Sequence, residues 1–439
     1  MKTASMDTMM HSNPHSMADE PGKHADHSAM EKLMARAVPT HVAIRNGAWS
    51  DPRTWKNGKV PGDRAKVLIE KGLTVTYDQV SDSRIETVVN KGNLKFATNK
   101  DTQLIVETIL NGAYGKLDIG SQQQSVAANK KAKIIFTSDR AINTKIDPTQ
   151  LGKGLVSHGE VNIYGADKLD KVALVGDATA GNNTLTFKQN LDGWQVGDQI
   201  VLGGTGYGWN GNDKDNSRLQ DEVLTITEIN GRKVSFTNND IKGANNDVLR
   251  FDHTRSALAG TNDINLYAAN LTRNVSFETE NGKDVPISHR AHVMLMHNPK
   301  VNVLNAGFYE LGRSDKSKIV DDIGKNIDGS SGKGTNIRGR YMLHLHQTGV
   351  DDPNGQAALL RGNALVGGPG WGIVHHESNA DIEENVVFDV VGAGIVAESG
   401  NELGSWTDNM VIKTTGIGWQ TAGNQRDNRK KKFDLGFDG

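Results

Sequence analysis

The chain has 439 residues, with 50 Lys and Arg against 52 Asp and Glu, so its formal net charge is only -2. This balance argues against a nucleic-acid-binding surface, because duplex binding depends on neutralising phosphates. The absence of Cys excludes disulfides, thiolate metal sites and cysteine nucleophiles.

The composition favours β-structure. Hydrophobic residues make up 36% of the chain and 49 Gly stand against 10 Pro, which is typical of short strands joined by many turns. No apolar run approaches the roughly 18 residues that span a bilayer, so we expect no transmembrane segment. The first residues, MKTASMDTMMHSNPHS, also lack the apolar core of a secretory signal peptide. The protein is therefore either cytoplasmic or exported by a signal that this sequence does not include.

Residues 1–38 differ from everything that follows, since they hold seven of the 11 Met and four of the 14 His. They show no hydrophobic periodicity, and we expect a disordered tail. A mixture of thioether and imidazole groups favours soft metals such as Cu(I) or Ag(I). The alternative is a solubilising tail without a metal. The candidate ligands are Met9, Met10, His11, His15, His24 and His27.

Residues 39–165 carry short β-patterned runs that alternate with Gly, Asn and Asp turns, among them KVLIEKGLTVTYD, GNLKFAT, QLIVETIL and GKLDIG. Each run is about as long as one strand, and the spacing is that of an all-β sandwich, barrel or solenoid. We predict a small β-domain here.

Residues 166–260 form a second cluster of predicted strands, in which Asn230 and Gly231 mark a hairpin turn. The polar segment YGWNGNDKDNSRLQDE lies between them and carries hard oxygen ligands that are compatible with Ca²⁺. Their spacing does not match an EF-hand, so solvated loop carboxylates are the alternative. These carboxylates belong to Asp213, Asp215, Asp221 and Glu222.

Residues 261–424 contain a repeat. The segments LLRGNALVG, IEENVVFDVVGAGI and WTDNMVIKTTGIG align on Asn363, Asn385 and Asn409, which lie 22 and 24 residues apart. A β-rich period in the low twenties, with a recurrent Asn before an apolar pair, predicts a right-handed parallel β-helix. The fold class is thus an all-β solenoid preceded by a small β-domain and a disordered tail. A solvated basic tail is expected over residues 425–439.

The repeat also predicts a contact between coils. His376 lies 13 residues after Asn363, and Glu398 lies 13 residues after Asn385. In register, the two side chains stand one above the other, about 4.8 Å apart along the ladder. A His and a Glu so placed form a candidate acid/base or metal pair.

Several segments occur together in a recognisable order. The β-region begins GAWSDPRTWKNGKVPGDRAKVLIEKGLTVTYD, and GKLDIG, GKGLVSHGEVNIYG, GWQVGDQIVL, RYMLHLH and GAGIVAESGNELG follow. This succession, over residues 41–420, resembles the G-eight domain family, which includes the vertebrate cell-migration-inducing hyaluronan-binding protein and its transmembrane relative. The resemblance implies a β-domain before a parallel β-helix and an extracellular, cell-surface or periplasmic location. It also implies an association with hyaluronan or a related acidic glycan, which some members degrade.

The sequence departs from that family at two places. RYMLHLH keeps the Arg, the Tyr and both His of a family pattern closer to RYPxHFH, but Met342 stands in place of the Pro and Leu345 in place of the Phe. GAGIVAESG departs from a pattern closer to GHGIFLEDG, with Ala393 in place of a His and Ser399 in place of the Asp. A purely binding role therefore stays open beside a catalytic one.

The candidate catalytic residues lie in the last third of the chain. His344 and His346 are two residues apart, so on a strand both point to the same face, where they suit acid/base work or one metal ion. Arg340 offers a fork suited to a uronate carboxylate, and His376 with Glu398 adds the second pair. The alternative is a ladder of stacked polar side chains inside the solenoid.

Neighbours of these residues are the candidate substrate contacts. His375 and His376 are adjacent on a predicted strand, so one of them must point inward. His292 and His297 flank the apolar run AHVMLM, and we expect them to be structural. The candidate contacts are Tyr341, His375, Glu402 and Trp371.

Three functions follow from these features. The leading hypothesis is an enzyme that cleaves an acidic polysaccharide along the β-helix groove, as a lyase or a glycoside hydrolase. The sequence shows no clear carboxylate pair, which favours the lyase. A non-catalytic glycan-binding or adhesive module is the second hypothesis, and an exported copper- or silver-binding protein that uses the Met/His tail is the third.

Overall fold

The computed structural model describes residues 21–206, 219–240, 246–255, 265–318, 320–325, 331–352 and 354–416. Within these ranges the chain is almost entirely β-structure, with one α-helix, α1, at Pro21–Arg36. In the same part of the chain, no helix combines the length and the apolar character needed to span a bilayer.

The strands fall into three groups along the chain. The first group is β1 His41–Val42, β2 Gly47–Ala48, β3 Lys66–Ile69, β4 Thr74–Tyr77, β5 Val80–Asn90, β6 Asn93–Phe96, β7 Thr102–Asn111, β8 Lys116–Ile119, β9 Ala132–Phe136, β10 Gly154–Ser157 and β11 Glu160–Tyr164. The second group is β12 Lys171–Ala173, β13 Thr184–Thr186, β14 Gln199–Leu202, β15 Glu222–Asn230, β16 Lys233–Asn238 and β17 Tyr267–Asn270. The third group is β18 Val275–Thr279, β19 His292–Met296, β20 Val301–Leu304, β21 Ala306–Tyr309, β22 Gly324–Lys325, β23 Ser331–Gly332, β24 Leu343–His346, β25 Ala358–Arg361, β26 Ala364–Gly368, β27 Ile373–His376, β28 Asn379–Glu383, β29 Val386–Val391, β30 Ile395–Ala397, β31 Leu403–Thr407 and β32 Met410–Thr415.

The first and third groups build a parallel β-helix with three faces. The first face has the order β1-β3-β5-β7-β10-β19-β24-β27-β30, and the second face has the order β2-β4-β6-β8-β11-β20-β25-β28-β31. The third face runs β7-β9-β18-β21-β26-β29-β32, and the long strand β7 belongs to two faces because it continues around a corner. The predicted parallel β-helix is confirmed.

A single hydrophobic core fills the solenoid from Ala43 to Val390. It forms because alternate side chains of each strand point inward, as Val67 and Ile69 do in β3. β10 pairs with β7 on one side and with β19 on the other, so the coils continue across the predicted boundary at residue 165. The prediction of a separate small β-domain at 39–165 is therefore corrected, because those strands are the first coils of the same solenoid.

An asparagine ladder stacks the last coils, as the repeat predicted. The Asn363 Nδ2 donates to Asn385 Oδ1 at 2.9 Å, and the Asn385 Nδ2 donates to Asn409 Oδ1 at 2.9 Å. Asn363 and Asn385 are fully buried. The recurrent Asn is thus a structural residue, since it satisfies backbone groups at a corner of each coil.

The second group of strands forms a six-stranded antiparallel sheet that interrupts the solenoid between β11 and β18. This sheet has its own apolar core. β15 and β16 pair around the turn at Asn230 and Gly231, with Asn230 opposite Lys233. The predicted hairpin is confirmed, and the sheet extends past residue 260 to Asn270.

The N-terminal helix corrects the prediction of disorder over residues 1–38 for the part at Pro21–Arg36. Met30 is fully buried and Met34 is 8% exposed, and both pack on the first face against Met294 and Met296. The spacing of Ala29, Met30, Leu33, Met34 and Ala37 is a helical stripe, which the sequence reading missed. Packing of this stripe stabilises a helix that is too polar elsewhere to be stable alone.

We expect Met30→Ala to release this helix from the solenoid. A buried Met replaced by Ala costs about 2 to 5 kcal/mol, and α1 has few other buried side chains to hold it. Hydrogen exchange should show faster exchange in α1 while β19 and β24 keep their protection. Lys32→Ala, at an exposed position of the same helix, is the matched control and should leave hydrogen exchange unchanged both in α1 and in β19 and β24. Equal protection of α1 in Met30→Ala and the control would contradict the assigned packing.

Candidate functional site

The candidate site lies on the outside of the first face, where β24 and β27 pair. Leu343 and Leu345 are in the solenoid core, so His344 and His346 point outward between them. His346 pairs in register with His376 of β27. The predicted same-face orientation of His344 and His346 is confirmed.

The three side chains His344, His346 and His376 form what we call the histidine cluster. One ring nitrogen from each lies within 4.8 Å of the others. The Nδ1 atoms of His346 and His376 are 2.8 Å apart, and the rings of His344 and His376 are stacked with centroids 5.6 Å apart. The cluster is rigidly placed, because its members stand on hydrogen-bonded strands of adjacent coils.

Glu398 lies beside the histidine cluster. Its Oε2 is 3.6 Å from His376 Nδ1, and the side chains of His376 and Glu398 are 21% and 18% exposed. Backbone pairing brings the two side chains together, because the preceding residues Val374 and His375 stand opposite Val396 and Ala397. The predicted stacking of His376 over Glu398 is confirmed, and both side chains are partly exposed.

His344 is held in one tautomer. Its Nδ1 is 3.0 Å from the carbonyl oxygen of Gly339. A carbonyl only accepts, so Nδ1 carries the proton and Nε2 presents a lone pair. Burial, with His346 and His376 nearby, lowers the pKa of His344 well below its ordinary value. His344 is therefore a neutral imidazole.

A row of further imidazoles leads away from the cluster along the first face. The rings of His297 and His346 have centroids 6.0 Å apart, and those of His158 and His297 are 5.1 Å apart. His27 of α1 stacks on His158 with its Nδ1 3.1 Å from the Nδ1 of His158. The structure thus brings one predicted tail ligand, His27, to the face that carries the cluster.

The structure does not describe the side chains of the remaining predicted tail ligands. Met9, Met10, His11 and His15 lie outside the described residues. His24 is within α1, but its side chain is outside the described part of the chain. Binding of copper or silver by this segment stays a prediction.

Arg340 donates hydrogen bonds to backbone carbonyls. Its Nε donates to Gln150 O, its Nη2 donates to Thr149 O, and its Nη1 donates to Arg338 O. These bonds tie the segment before β10 to the segment before β24. The binding of a uronate carboxylate by Arg340 stays a prediction, and three of the five N–H groups of its guanidinium make these bonds to backbone carbonyls.

Two predicted substrate contacts are buried aromatic residues. Tyr341 is 0% exposed and Trp371 is 1% exposed, and their rings stack with centroids 5.0 Å apart. The Lys316 Nζ lies 3.4 Å from the centroid of Trp371. Direct contact with a substrate is corrected to a supporting role, since neither ring reaches the surface.

The other two predicted contacts are also committed to the protein. His375 points inward, as predicted for one member of the adjacent pair His375 and His376. Its Nε2 is 2.7 Å from the carbonyl oxygen of Ser378. Glu402 accepts backbone N–H bonds from Ser399, Gly400 and Glu377. Burial raises the pKa of Glu402, but these bonds outweigh it and hold the pKa below its usual range. In the structure both side chains bind neighbouring backbone groups, and contact with a substrate stays a prediction.

Ala393 and Ser399, where GAGIVAESG departs from the family pattern, have different surroundings. Ala393 packs against Tyr341, Trp371, Val374 and Val396. Ser399 directly follows Glu398, and its backbone N–H donates to Glu402. The missing His at position 393 therefore affects the aromatic stack rather than the histidine cluster.

The carboxylates that are candidates for Ca²⁺ binding have different surroundings in the structure. Glu222 is fully buried and accepts from the Asn238 side chain and from the backbone N–H groups of Arg250 and Phe251. It also lies 2.9 Å from His253 Nε2. Glu222 is thus a structural anchor rather than an ion ligand. Asp221 lies 3.9 Å from Lys413 Nζ. Asp213 and Asp215 lie outside the described residues.

Basic side chains are buried under the same face. His292 is fully buried with its Nδ1 3.2 Å from Lys153 O, in keeping with the structural role expected for it. Arg313 donates to the carbonyl oxygens of Lys153, Arg290, Gln150 and Gly152. Burial lowers the pKa of Lys153 to about 8, an effect that nearby Glu107 opposes and Arg313 strengthens.

We expect Lys153→Met to stabilise the protein near neutral pH. Between pH 8 and about 10.4, unfolded Lys153 binds a proton that the folded side chain does not, so the free energy of unfolding rises with pH in this window. The substitution should add about 1 to 3 kcal/mol at pH 7 and flatten that pH dependence. The lost bond from Lys153 Nζ to Arg140 O limits the gain.

Denaturant unfolding across pH 7 to 11 measures this effect. Lys100→Met, at an exposed position, is the control and should leave the curve unchanged. A Lys153→Met protein with the wild-type pH dependence would show that the ammonium is not the titrating group.

The sequence reading missed His158 and the continuity of the histidine row. A signal was available, because His158, His297, His346 and His376 all stand at or just after the last residue of a first-face strand. An alignment of coils on their first-face strands, rather than on the recurrent Asn, would have placed them in one line.

Comparisons with known proteins agree with this architecture. Residues 54–175 match the family model of the G8 domain. This stretch of the chain is similar to the G8 domain. The predicted resemblance to G-eight domain proteins is thereby confirmed, and in the structure the matched residues comprise early coils of the solenoid and the start of the antiparallel insert.

The relatives are distant and much longer. Communication mutant protein F of Dictyostelium discoideum is 22% identical over 384 residues, which covers 85% of this chain and 30% of that protein. A G8 domain-containing protein of the same organism is 23% identical over 390 residues, covering 85% and 23%. Human fibrocystin-L is 26% identical over 192 residues, covering 43% and 4%. The chain spans about a quarter of the length of the Dictyostelium relatives.

Solved structures give weaker matches. The tailspike gp61 of Pseudomonas phage phi297 covers 76% of this chain and 55% of its own, at 10% identity and a TM-score of 0.19. The gp54 tailspike of Acinetobacter baumannii bacteriophage AP22, solved with a capsular saccharide, covers 79% and 53%, at 8% identity and a TM-score of 0.19. Because these scores are low, the fold assignment rests on the strand pairing described above.

Proposed function

We propose that this protein cleaves an acidic polysaccharide of the hyaluronan type outside the cell, at the histidine cluster and Glu398. The observation that carries the proposal is the arrangement of His346, His376 and Glu398, with 2.8 Å between the two Nδ1 atoms and 3.6 Å from His376 to the carboxylate. Imidazole and carboxylate side chains that lie close together and are partly exposed suit acid/base catalysis. The similarity to the G8 domain supports the substrate class through the resemblance to hyaluronan-binding proteins.

The solenoid favours a long, linear substrate. Stacked coils present a continuous row of side chains along the first face, and a polysaccharide bound there would contact several coils at once. Strands β24 and β27 hold the three imidazoles, and Glu398 directly follows β30, so paired strands position the reacting groups for catalysis. Secretion or surface location belongs to the same proposal, because such polysaccharides are extracellular.

The arrangement favours β-elimination over hydrolysis. Glu398 is the base and takes the proton at C5 of the uronate, whose electron pair forms the C4–C5 double bond as the C4–O bond breaks. An imidazole of the histidine cluster gives a proton to the departing oxygen. A hydrolase of the two-carboxylate type needs a second carboxylate across the scissile bond, whereas the neighbours that give Glu398 its proposed role here are imidazoles.

Incubation of the purified protein with hyaluronan, chondroitin, alginate and pectate tests this proposal. Chain length and the ultraviolet absorbance of unsaturated uronates are followed together. We expect shortening with new absorbance for at least one substrate. Shortening without absorbance would establish a hydrolase instead. Binding to a polysaccharide without any shortening would overturn the enzyme and leave the non-catalytic glycan-binding module.

A further inference from the structure

We infer that the histidine cluster binds a divalent first-row transition metal of the zinc type, held by His344, His346 and His376 with Glu398 at its edge. This inference rests on the proposed function for the role of the ion, but the binding itself does not. It starts from a polar atom that the protein leaves without a hydrogen bond in a buried position.

The His344 ring supplies that atom. Because Nδ1 donates to Gly339 O, the lone pair of Nε2 points away from the backbone. His344 is only 2% exposed, and its Nε2 has no hydrogen-bond partner. A buried acceptor left unsatisfied costs about 1 to 3 kcal/mol. Metal-binding His residues have this arrangement, with one ring N–H fixed by a carbonyl and the other nitrogen available for the ion.

The neighbouring imidazoles complete a ligand set. Ring nitrogens of His344, His346 and His376 lie within 4.8 Å of one another. Three nitrogens about 2.0 to 2.1 Å from one zinc ion in tetrahedral geometry stand about 3.4 Å apart. That spacing falls between the 2.8 Å that separates the Nδ1 atoms of His346 and His376 and the 4.8 Å within which one ring nitrogen of each His lies.

The donor atoms select the kind of metal. Imidazole nitrogens suit Zn²⁺, Cu²⁺, Ni²⁺ and Fe²⁺, whereas Ca²⁺ and Mg²⁺ prefer oxygen ligands. The chain has no Cys to offer thiolates. Three His with one carboxylate nearby therefore favour Zn²⁺ as the probe, rather than the Ca²⁺ considered for the polar segment before Glu222.

The ion would supply positive charge beside the uronate carboxylate, which is the role predicted for Arg340. β-Elimination needs a cation beside the uronate carboxylate, since neutralising it makes the neighbouring proton more acidic. The guanidinium of Arg340 is bound to three backbone carbonyls. An ion in the histidine cluster would place positive charge on the face that carries Glu398. Glu398 would keep the role of base, and water rather than a metal-bound imidazole would give the proton to the departing oxygen.

Metal titration of the full chain tests the inference. Protein stripped with a chelator is titrated with Zn²⁺ by calorimetry, and Co²⁺ is used in parallel because its visible spectrum reports a tetrahedral nitrogen-ligated site. His376→Asn and His346→Asn change partly exposed side chains, so both variants should fold. We expect each to lose one equivalent of Zn²⁺ and the tetrahedral Co²⁺ spectrum, with affinity at the site falling by at least about 100-fold.

His41→Ala is the matched control, since His41 is a partly exposed His on the first face that lies on the distant strand β1. It should keep the full stoichiometry, which also separates the cluster from any ions bound by the N-terminal Met and His residues. Unchanged stoichiometry and spectrum in both folded Asn variants would overturn the inference. Zinc binding without polysaccharide cleavage would support the metal site and overturn the proposed function. Cleavage that survives complete metal removal would support the proposed function and show that the ion has no role in it.

Discussion

Glu398→Gln should reduce polysaccharide cleavage by about 10² to 10⁴-fold, the range that general acid/base groups contribute. The substitution keeps the shape of the side chain and removes the charge that would accept the substrate proton. The side chain is 18% exposed and lies 3.6 Å from His376 Nδ1, so loss of the charge should leave the fold intact. Initial rates of unsaturated product formation measure the effect, with thermal unfolding as the check on folding.

The control for this experiment is Glu383→Gln. Glu383 lies on β28 of the second face, 4.0 Å from Arg361, with a side chain 30% exposed. We expect wild-type rates from it, because it is remote from the histidine cluster. Equal rates in Glu398→Gln and wild type would remove Glu398 from the mechanism, and equal losses in both variants would show that the effect is not specific to the site.

Asn385→Ala should destabilise the last coils by about 3 to 5 kcal/mol. Asn385 Oδ1 accepts from the backbone N–H and the side chain of Asn363, and Asn385 Nδ2 donates to Leu360 O and Asn409 Oδ1. Alanine leaves several of these buried groups without partners, each at a cost of about 1 to 3 kcal/mol. Partial relaxation and entry of water keep the total below the simple sum.

Pulse proteolysis and hydrogen exchange measure this loss better than a single melting temperature, because stacked coils can open locally. We expect faster exchange in β26, β29 and β32 while β3 and β5 keep their protection. Asn302→Ala is the control, since Asn302 is partly exposed and its side chain donates one hydrogen bond, to Asn162 Oδ1 at 3.0 Å. If the two variants lost the same stability, the ladder would not be the special feature of these coils.

Local patterns in the sequence were sufficient for the solenoid and for one contact in the site. The spacing of Asn363, Asn385 and Asn409 set the coil length, and that length alone put His376 over Glu398. These inferences succeeded because a parallel stack repeats one geometry, so equal offsets from a recurrent residue become neighbours in space. The alternation in RYMLHLH placed His344 and His346 on one face for a similarly local reason.

Other roles depended on partners distant in sequence. Arg340 has the chemistry for a uronate, but Thr149 and Gln150, about 190 residues earlier in the chain, supply the carbonyls that occupy it. Tyr341 and Trp371 are suited to sugar stacking until neighbouring coils bury them. No periodicity reveals such partners, because the segments that provide them lie between the repeated strands.

The sequence by itself determined the β-class, the coil period and the outward pairing of the two histidines in β24, since each follows from side-chain alternation and the repeat. Only the tertiary structure decided that the first coils share the solenoid core, and that α1 packs its Met residues on the first face. It alone also gathered His344, His346 and His376 with one buried lone pair. These outcomes depend on which surfaces meet when coils stack, and burial and long-range hydrogen bonding, rather than local preference, select among them.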